Sequence, residues 1–164
     1  MNSKDVKKYE NVILYLCEKS GGILEGKKKL AKLLYFVDFD MFEYKESMKS
    51  ITGDSYKALQ MGPVPVGFID IVDRMNREGL LEKKEKEIGN GYAPVETFES
   101  KKVADTSYFS KDEMYILERV VSKYGKLNGK QLEDLTHGEA PWNGVKYGEK
   151  IPFELSFYRD TEFA

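Results

Sequence analysis

The sequence predicts a mainly α (α+β) fold. It reads as a compact bundle of about five to six helices around a central helix over 27–46, with a small antiparallel β element that includes a hairpin at 81–98. Three observations predict this. Apolar residues recur at helical spacing in several separate stretches. The stretch 27–46 is apolar on two opposite sides, which places it between layers. Asn90-Gly91 lies between two strand-like runs, and this dipeptide suits the left-handed positions of a type I′ turn.

The elements follow in chain order. Ser3 can cap a first helix over 4–19, with Val6, Tyr9, Ile13, Leu16 and Cys17 on its apolar side and Ser20-Gly21-Gly22 as its stop. In the second helix one stripe is Leu30, Leu33, Leu34, Val37, Met41 and Tyr44, and the other is Tyr35, Phe36, Phe39 and Phe42. Asp38 lies between the stripes and needs a partner if it is buried. Residues 51–54 read as a turn, 55–59 as a short strand, and Gly62-Pro63-Val64-Pro65 as a rigid connector, because each proline fixes its own φ and extends its predecessor. A third helix is expected over 65–78, with Phe68, Ile69, Val72 and Met75 on one face and Gly79 at its end.

The hairpin that follows carries a densely charged strand, Glu82 to Glu87, which resists pairing with other chains. Ser110 and Glu113 have the spacing of a capping box and open a fourth helix that Gly125 ends. Asn128 to Gln131 opens a shorter fifth, and Pro141 starts one more turn holding Trp142. The tail after Ile151 reads as irregular, with Phe153, Leu155, Phe157 and Tyr158 available to pack back.

Composition narrows the function classes. A length of 164 residues favours one domain over 1–164 and suffices to bury a core without staples. Hydrophobic residues at 41% and charged residues at 33% fit an ordered globular chain. A net charge of −2 argues against a dedicated nucleic-acid binder, whose affinity rests on phosphate contacts. The single cysteine excludes an internal disulfide and a multi-cysteine zinc site. No apolar run reaches spanning length and no signal peptide is visible, so a cytoplasmic protein with no membrane contact is expected.

Chemistry-bearing residues are sparse. Cys17 and His137 are the material of a nucleophile pair, but Cys17 falls in the apolar stripe of the first helix, where a buried inert thiol is the usual outcome. His137 and Glu139 could supply two metal ligands, yet no spaced partner motif accompanies them. A structural role is expected instead, with both side chains bonding backbone ends and Trp142 packing below. Lys27, Lys28, Lys29 and Lys32 oppose the dipole at the start of the second helix. They are either a solvated face or a contact for an acidic partner or a phosphate. Tyr35, Phe36, Phe39 and Phe42 read as core, with a partner-binding groove as the alternative for part of them. No enzyme activity and no cofactor are expected from these residues.

Three motifs carry a family resemblance. The first is Lys29-Leu30, Lys32-Leu33-Leu34-Tyr35-Phe36 and Asp38; the second is Met61-Gly62-Pro63-Val64; the third is Thr136-His137-Gly138-Glu139-Ala140-Pro141-Trp142. In this order they resemble the Panacea domain, the SocA-like antitoxin family often found in phage-associated genes. The match runs from about Lys27 to Trp142, with Met61 where the family has an aromatic residue. The resemblance implies a helical fold with a small β element and no enzymatic activity. It implies an antitoxin that binds a cognate protein toxin encoded by an adjacent gene. One branch of the family presents its toxin to a protease as an adaptor. Lys29, Lys32, Tyr35, Phe36 and Phe39 are then expected at the partner contact. Leu30, Leu33, Asp38, Gly62, Pro63, Val64, His137, Glu139, Pro141 and Trp142 are expected to hold the fold. A second class remains open, a winged-helix DNA-binding regulator, because the third helix is followed by a hairpin. Against it, that helix carries Asp70, Asp73 and Glu78 beside Arg74 and Arg77.

Overall fold

The computed structural model describes residues 3–161 and 163, with side chains from Asp5 onward. Helix α1 runs over Ser3–Lys19. The cap expected from the Ser3 side chain lies outside the described residues. Tyr9, Ile13, Leu16 and Cys17 are buried as their spacing predicts. Gly21 and Gly22 follow in the left-handed region, at φ 82 and 95, and the Gly22 N–H returns to the Cys17 carbonyl.

Between α1 and α2 lies a strand that periodicity did not signal, β1 (Ile23–Glu25). Helix α2 spans Lys27–Glu43, three residues shorter than expected, and a short 3-10 turn over Tyr44–Glu46 completes the stretch. Every residue from Leu30 to Glu43 is buried. Strands β2 (Tyr56–Leu59) and β3 (Gly62–Pro65) pair antiparallel, so the proline-rich connector is a strand. The prolines fit because the Tyr56 and Ala58 backbones turn the other way, to residues 148–151. Pro65 and Pro63, opposite them, owe β2 no N–H.

Helix α3 occupies Phe68–Arg77 and starts after the extended Pro63–Pro65 run rather than within it. Phe68, Ile71, Val72 and Met75 face inward, while Ile69 is half-buried. Strands β4 (Leu81–Lys86) and β5 (Val95–Ser100) form the hairpin. At its tip Asn90 and Gly91 both have positive φ, 53 and 78, and Tyr92 N–H bonds the Gly89 carbonyl, as a type I′ turn requires. The sheet order is β1-β5-β4, so the charged β4 is an edge strand.

Helix α4 (Lys111–Tyr124) has the Ser110–Glu113 capping box, and α5 (Gly129–His137) has a second one from Asn128 and Gln131. Helix α6 is a single turn over Ala140–Asn143. The tail is a 3-10 helix over Phe153–Tyr158 rather than irregular chain. The expected helices are thus present as α1 to α6, and the two sheets make the chain mixed and mainly helical, not all-α.

Around α2 the other elements close in from several sides: α4, α5, β3, β1 and the tail all touch it. A helix buried this way must pair its polar side chains inside the protein. Asp38 does so with four donors. The Ile51 and Thr52 N–H groups reach its carboxylate at 2.9 Å each, the Tyr56 hydroxyl at 2.6 Å, and the Thr52 hydroxyl also donates. Burial pushes this carboxyl up to about 6 while the donors pull it down. The carboxylate thereby fixes the 51–56 segment against α2. Asp54 repeats the device one step out, accepting from the Tyr9 hydroxyl at 2.6 Å and from the Gly67 N–H at 2.9 Å at the start of α3.

Replacing Asp38 by Ala strands two buried backbone N–H groups. Urea unfolding of Asp38→Ala is expected to show a loss of at least about 2 kcal/mol. A loss under about 1 kcal/mol would mean that the 51–56 segment is held by packing alone.

Candidate functional site

The three sequence motifs lie far apart in the chain and meet in space. The joint is built on one end of α2. Lys32 is 1% exposed, and its ammonium donates to the Pro63 carbonyl at 3.0 Å. Gly62 passes so close that a Cβ there would sit 2.7 Å from the Thr136 hydroxyl and 2.8 Å from Lys32 Cε. Its φ of 109 also favours glycine. The second motif is therefore wedged between the first and the third. Burial pulls the Lys32 ammonium down to about 8, with Glu133 opposing that shift.

One turn further along α2, the Tyr35 hydroxyl donates to Glu139 Oε1 at 2.6 Å. Burial raises this phenol well above its ordinary value, and the Glu139 charge adds to the shift. Glu139 also faces the Arg159 guanidinium at 3.5 Å. The carboxylate thus serves side chains, not the backbone ends expected of it. His137 stacks on Trp142 with ring centroids 4.0 Å apart, and the Trp142 indole N–H donates to the Leu59 carbonyl at 2.8 Å. The imidazole Nε2 is buried with no hydrogen-bond partner among the described residues. Trp142 is half-buried and pins the end of β2 to α6. The His137 and Glu139 side chains turn to different neighbours, and no group of three or more metal-ligating side chains is found among the described residues.

The expected partner-contact residues are placed as follows. Lys32, Tyr35, Phe36 and Phe39 are buried. Phe36 stacks on Tyr124 at 3.8 Å, and Tyr35 lies 4.6 Å from Phe39. Lys29 is half-buried, and its ammonium donates to the Gly125 carbonyl at 2.7 Å. That carbonyl belongs to the end of α4, where a positive charge is favourable. The cation misplaced at the start of one helix is thus well placed at the end of another. Lys28 pairs with Glu133 at 3.0 Å, and Lys27 stays exposed. Leu30, Leu33, Asp38, Gly62, Pro63 and Pro141 are buried, Val64 is half-buried, and all sit in the joint or the core beside it. Cys17 is buried too, and burial pushes its thiol up to about 12.

Sequence reasoning missed the ion network at the other end of α2. Arg159 places one guanidinium nitrogen 2.9 Å from Asp40 and 3.1 Å from Glu43. Arg119 of α4 reaches the second Asp40 oxygen at 3.1 Å. Burial works against the Arg159 charge, and Tyr35, Asp40, Glu139 and Glu43 outweigh it, so the group stays above its ordinary value. The available signal was the spacing of Phe36, Asp40 and Glu43, which puts two acids on the same face as a core phenylalanine.

Residues 30–143 match the family described as antitoxin SocA-like, Panacea domain. The chain belongs to this family. No curated protein and no solved structure matches it. In this Panacea domain the replaced aromatic of the second motif, Met61, is 53% exposed, so the joint closes without it. Among the described residues no helix is long and apolar enough to cross a membrane.

The Lys32 position gives a pH signature. Between the folded value near 8 and the ordinary 10.5, the unfolded chain binds more protons than the folded one. The contribution of Lys32 to stability therefore rises with pH across that window. Unfolding free energies at about pH 7.5 and 9.5 should show the wild type gaining relative to Lys32→Met. Parallel pH dependence in the two proteins would contradict the placement.

Proposed function

We propose that this Panacea domain is the antitoxin of a two-gene module and neutralises a protein toxin, encoded by the adjacent gene, by direct binding. The observation that carries the reading is the family match over residues 30–143. The joint supports it physically. Motif residues spent on internal packing give a preorganised scaffold, and preorganisation lowers the cost of binding another protein. Of the five residues expected at the contact, Lys29 can meet a partner directly. Lys32, Tyr35, Phe36 and Phe39 are buried in the free chain and act there through the shape they hold. Exposed side chains such as Tyr92, Tyr147 and Tyr158, each more than half exposed, are suitable anchors.

The DNA-binding reading keeps one observation in its favour, the order of α3 and the β4–β5 hairpin. Its electrostatics are poor. Arg74 pairs with Glu78 at 3.1 Å and Lys83 with Asp73 at 3.1 Å, so basic groups beside α3 are partly neutralised.

Expressing the adjacent gene alone should stop growth, and co-expressing this chain should restore it, with the two proteins co-purifying. Absence of toxicity would contradict the antitoxin reading. Delivery to a protease predicts in addition that the toxin disappears on co-expression and persists in cells lacking that protease. A stable complex with undiminished toxin assigns neutralisation to occlusion.

A further inference from the structure

The family match ends at residue 143, and the chain that follows covers part of the matched domain. Residues 148–151 run beside β2, where the Ile151 N–H donates to the Tyr56 carbonyl and the Ala58 N–H to the Glu149 carbonyl. From Pro152 the chain leaves the sheet and lies as a strap along the C-terminal half of α2. Its anchors are spaced. Phe153 packs on Phe39 at 4.6 Å and on Phe42 at 5.3 Å. Arg159 follows with a fully buried side chain among Asp40, Glu43 and Glu139. Between the anchors Ser156 is buried, Phe157 is 41% exposed with its ring 5.7 Å from that of Phe42, and Tyr158 faces outward, 78% exposed.

This is how a peptide lies in a receptor groove, with a few deep anchors and outward residues between them. Two details set it apart from ordinary core. The guanidinium is buried against three carboxylates, and its Nε has no partner among the described residues, so the pocket leaves one donor unused. Beside Asp160 and Thr161 the groove also continues as an open cleft of about 250 Å³, floored by Phe36, Tyr124, Leu127 and Leu135. Leu135 is 44% exposed there.

We propose that this groove is a binding site for a partner-protein segment bearing an arginine and a preceding aromatic residue, and that residues 153–161 hold it shut in the free chain. An arginine fits where a lysine does not, because the planar fork serves several carboxylates at once. Lifting the strap leaves Asp40, Glu43 and Glu139 with too little positive charge, so another guanidinium is the favoured replacement. Tethering close to Ile151 gives the strap an effective concentration of roughly millimolar, which excludes weak competitors. The inference deepens the antitoxin reading and rests on it for the partner's identity. Its test contains no toxin, so the two can fail separately.

The probe is a labelled peptide of residues 150–164, titrated onto the full chain. The wild type should bind it at least about tenfold more weakly than Phe153→Ala/Arg159→Ala, whose own strap no longer competes. A peptide carrying Arg159→Lys should lose at least about tenfold in affinity for that variant. A folded variant that ignores the peptide, or that binds both peptides equally, would overturn the proposal. A variant that cannot fold would assign the strap to the core and overturn it as well. A second check uses an engineered protease site between Ile151 and Phe153. After cleavage the strap should stay bound and exchange with labelled peptide, and unfolding on cleavage would overturn the proposal. Wild-type dimers that vanish with Arg159→Ala would give the groove to a second copy and overturn the partner-segment form.

Discussion

A helix buried on every side cannot leave its polar groups to water, and that constraint organises this molecule. From Leu30 to Glu43 no residue of α2 is exposed, yet the run contains Lys32, Tyr35, Asp38, Asp40 and Glu43. Each must find a partner within the protein or carry a large desolvation cost. Between them they reach four separate parts of the chain, with Asp40 and Glu43 sharing Arg159. Lys32 takes the β3 turn, Asp38 the 51–56 segment, Tyr35 the turn before α6, and Asp40 the arginines of α4 and the tail. Apolar packing alone would allow these segments to slide on a greasy helix. The polar pairs allow one arrangement, because misplacing a segment strands a buried charge at a cost of several kcal/mol.

The family motifs acquire a physical meaning in this light. Between them the three motifs supply both halves of two pairs: Tyr35 with Glu139, and Lys32 with the Pro63 carbonyl. Gly62 is where all three motifs approach too closely for any side chain. Such residues specify a shape, and a shape can serve many binding surfaces. The tail lies beyond the matched residues and packs on the part of α2 within them.

Much of the helical framework was legible in the sequence because its punctuation is local. Ser110 with Glu113, Asn128 with Gln131, and the Asn90-Gly91 turn each act within a few residues. The two-sided apolar pattern of α2 likewise announced a central helix. What stayed hidden is long-range. Strand β1 has three residues, too few for a period-2 pattern, and it exists because β5 offers an edge. Strand β3 was masked by prolines whose missing donors matter only if β2 needs them, and β2 turns that edge to residues 148–151 instead. Tyr35, Phe36 and Phe39 read as core and are buried, whereas the burial of Lys32 was not legible, because apolar spacing says nothing about where a lysine goes. Arg159 was invisible as a core residue, since Asp40 and Glu43, which hold it, sit more than a hundred positions earlier.

With its polar side chains paired inside the protein, α2 should be the last element to open. Native-state hydrogen exchange on the wild-type chain tests it most directly. Amides from Ala31 to Phe42 should exchange only through global unfolding, with a free energy equal to that from urea denaturation. Exchange of these amides through a smaller opening, while α4 or the β4–β5 hairpin stays protected, would contradict the account and move the organising element elsewhere.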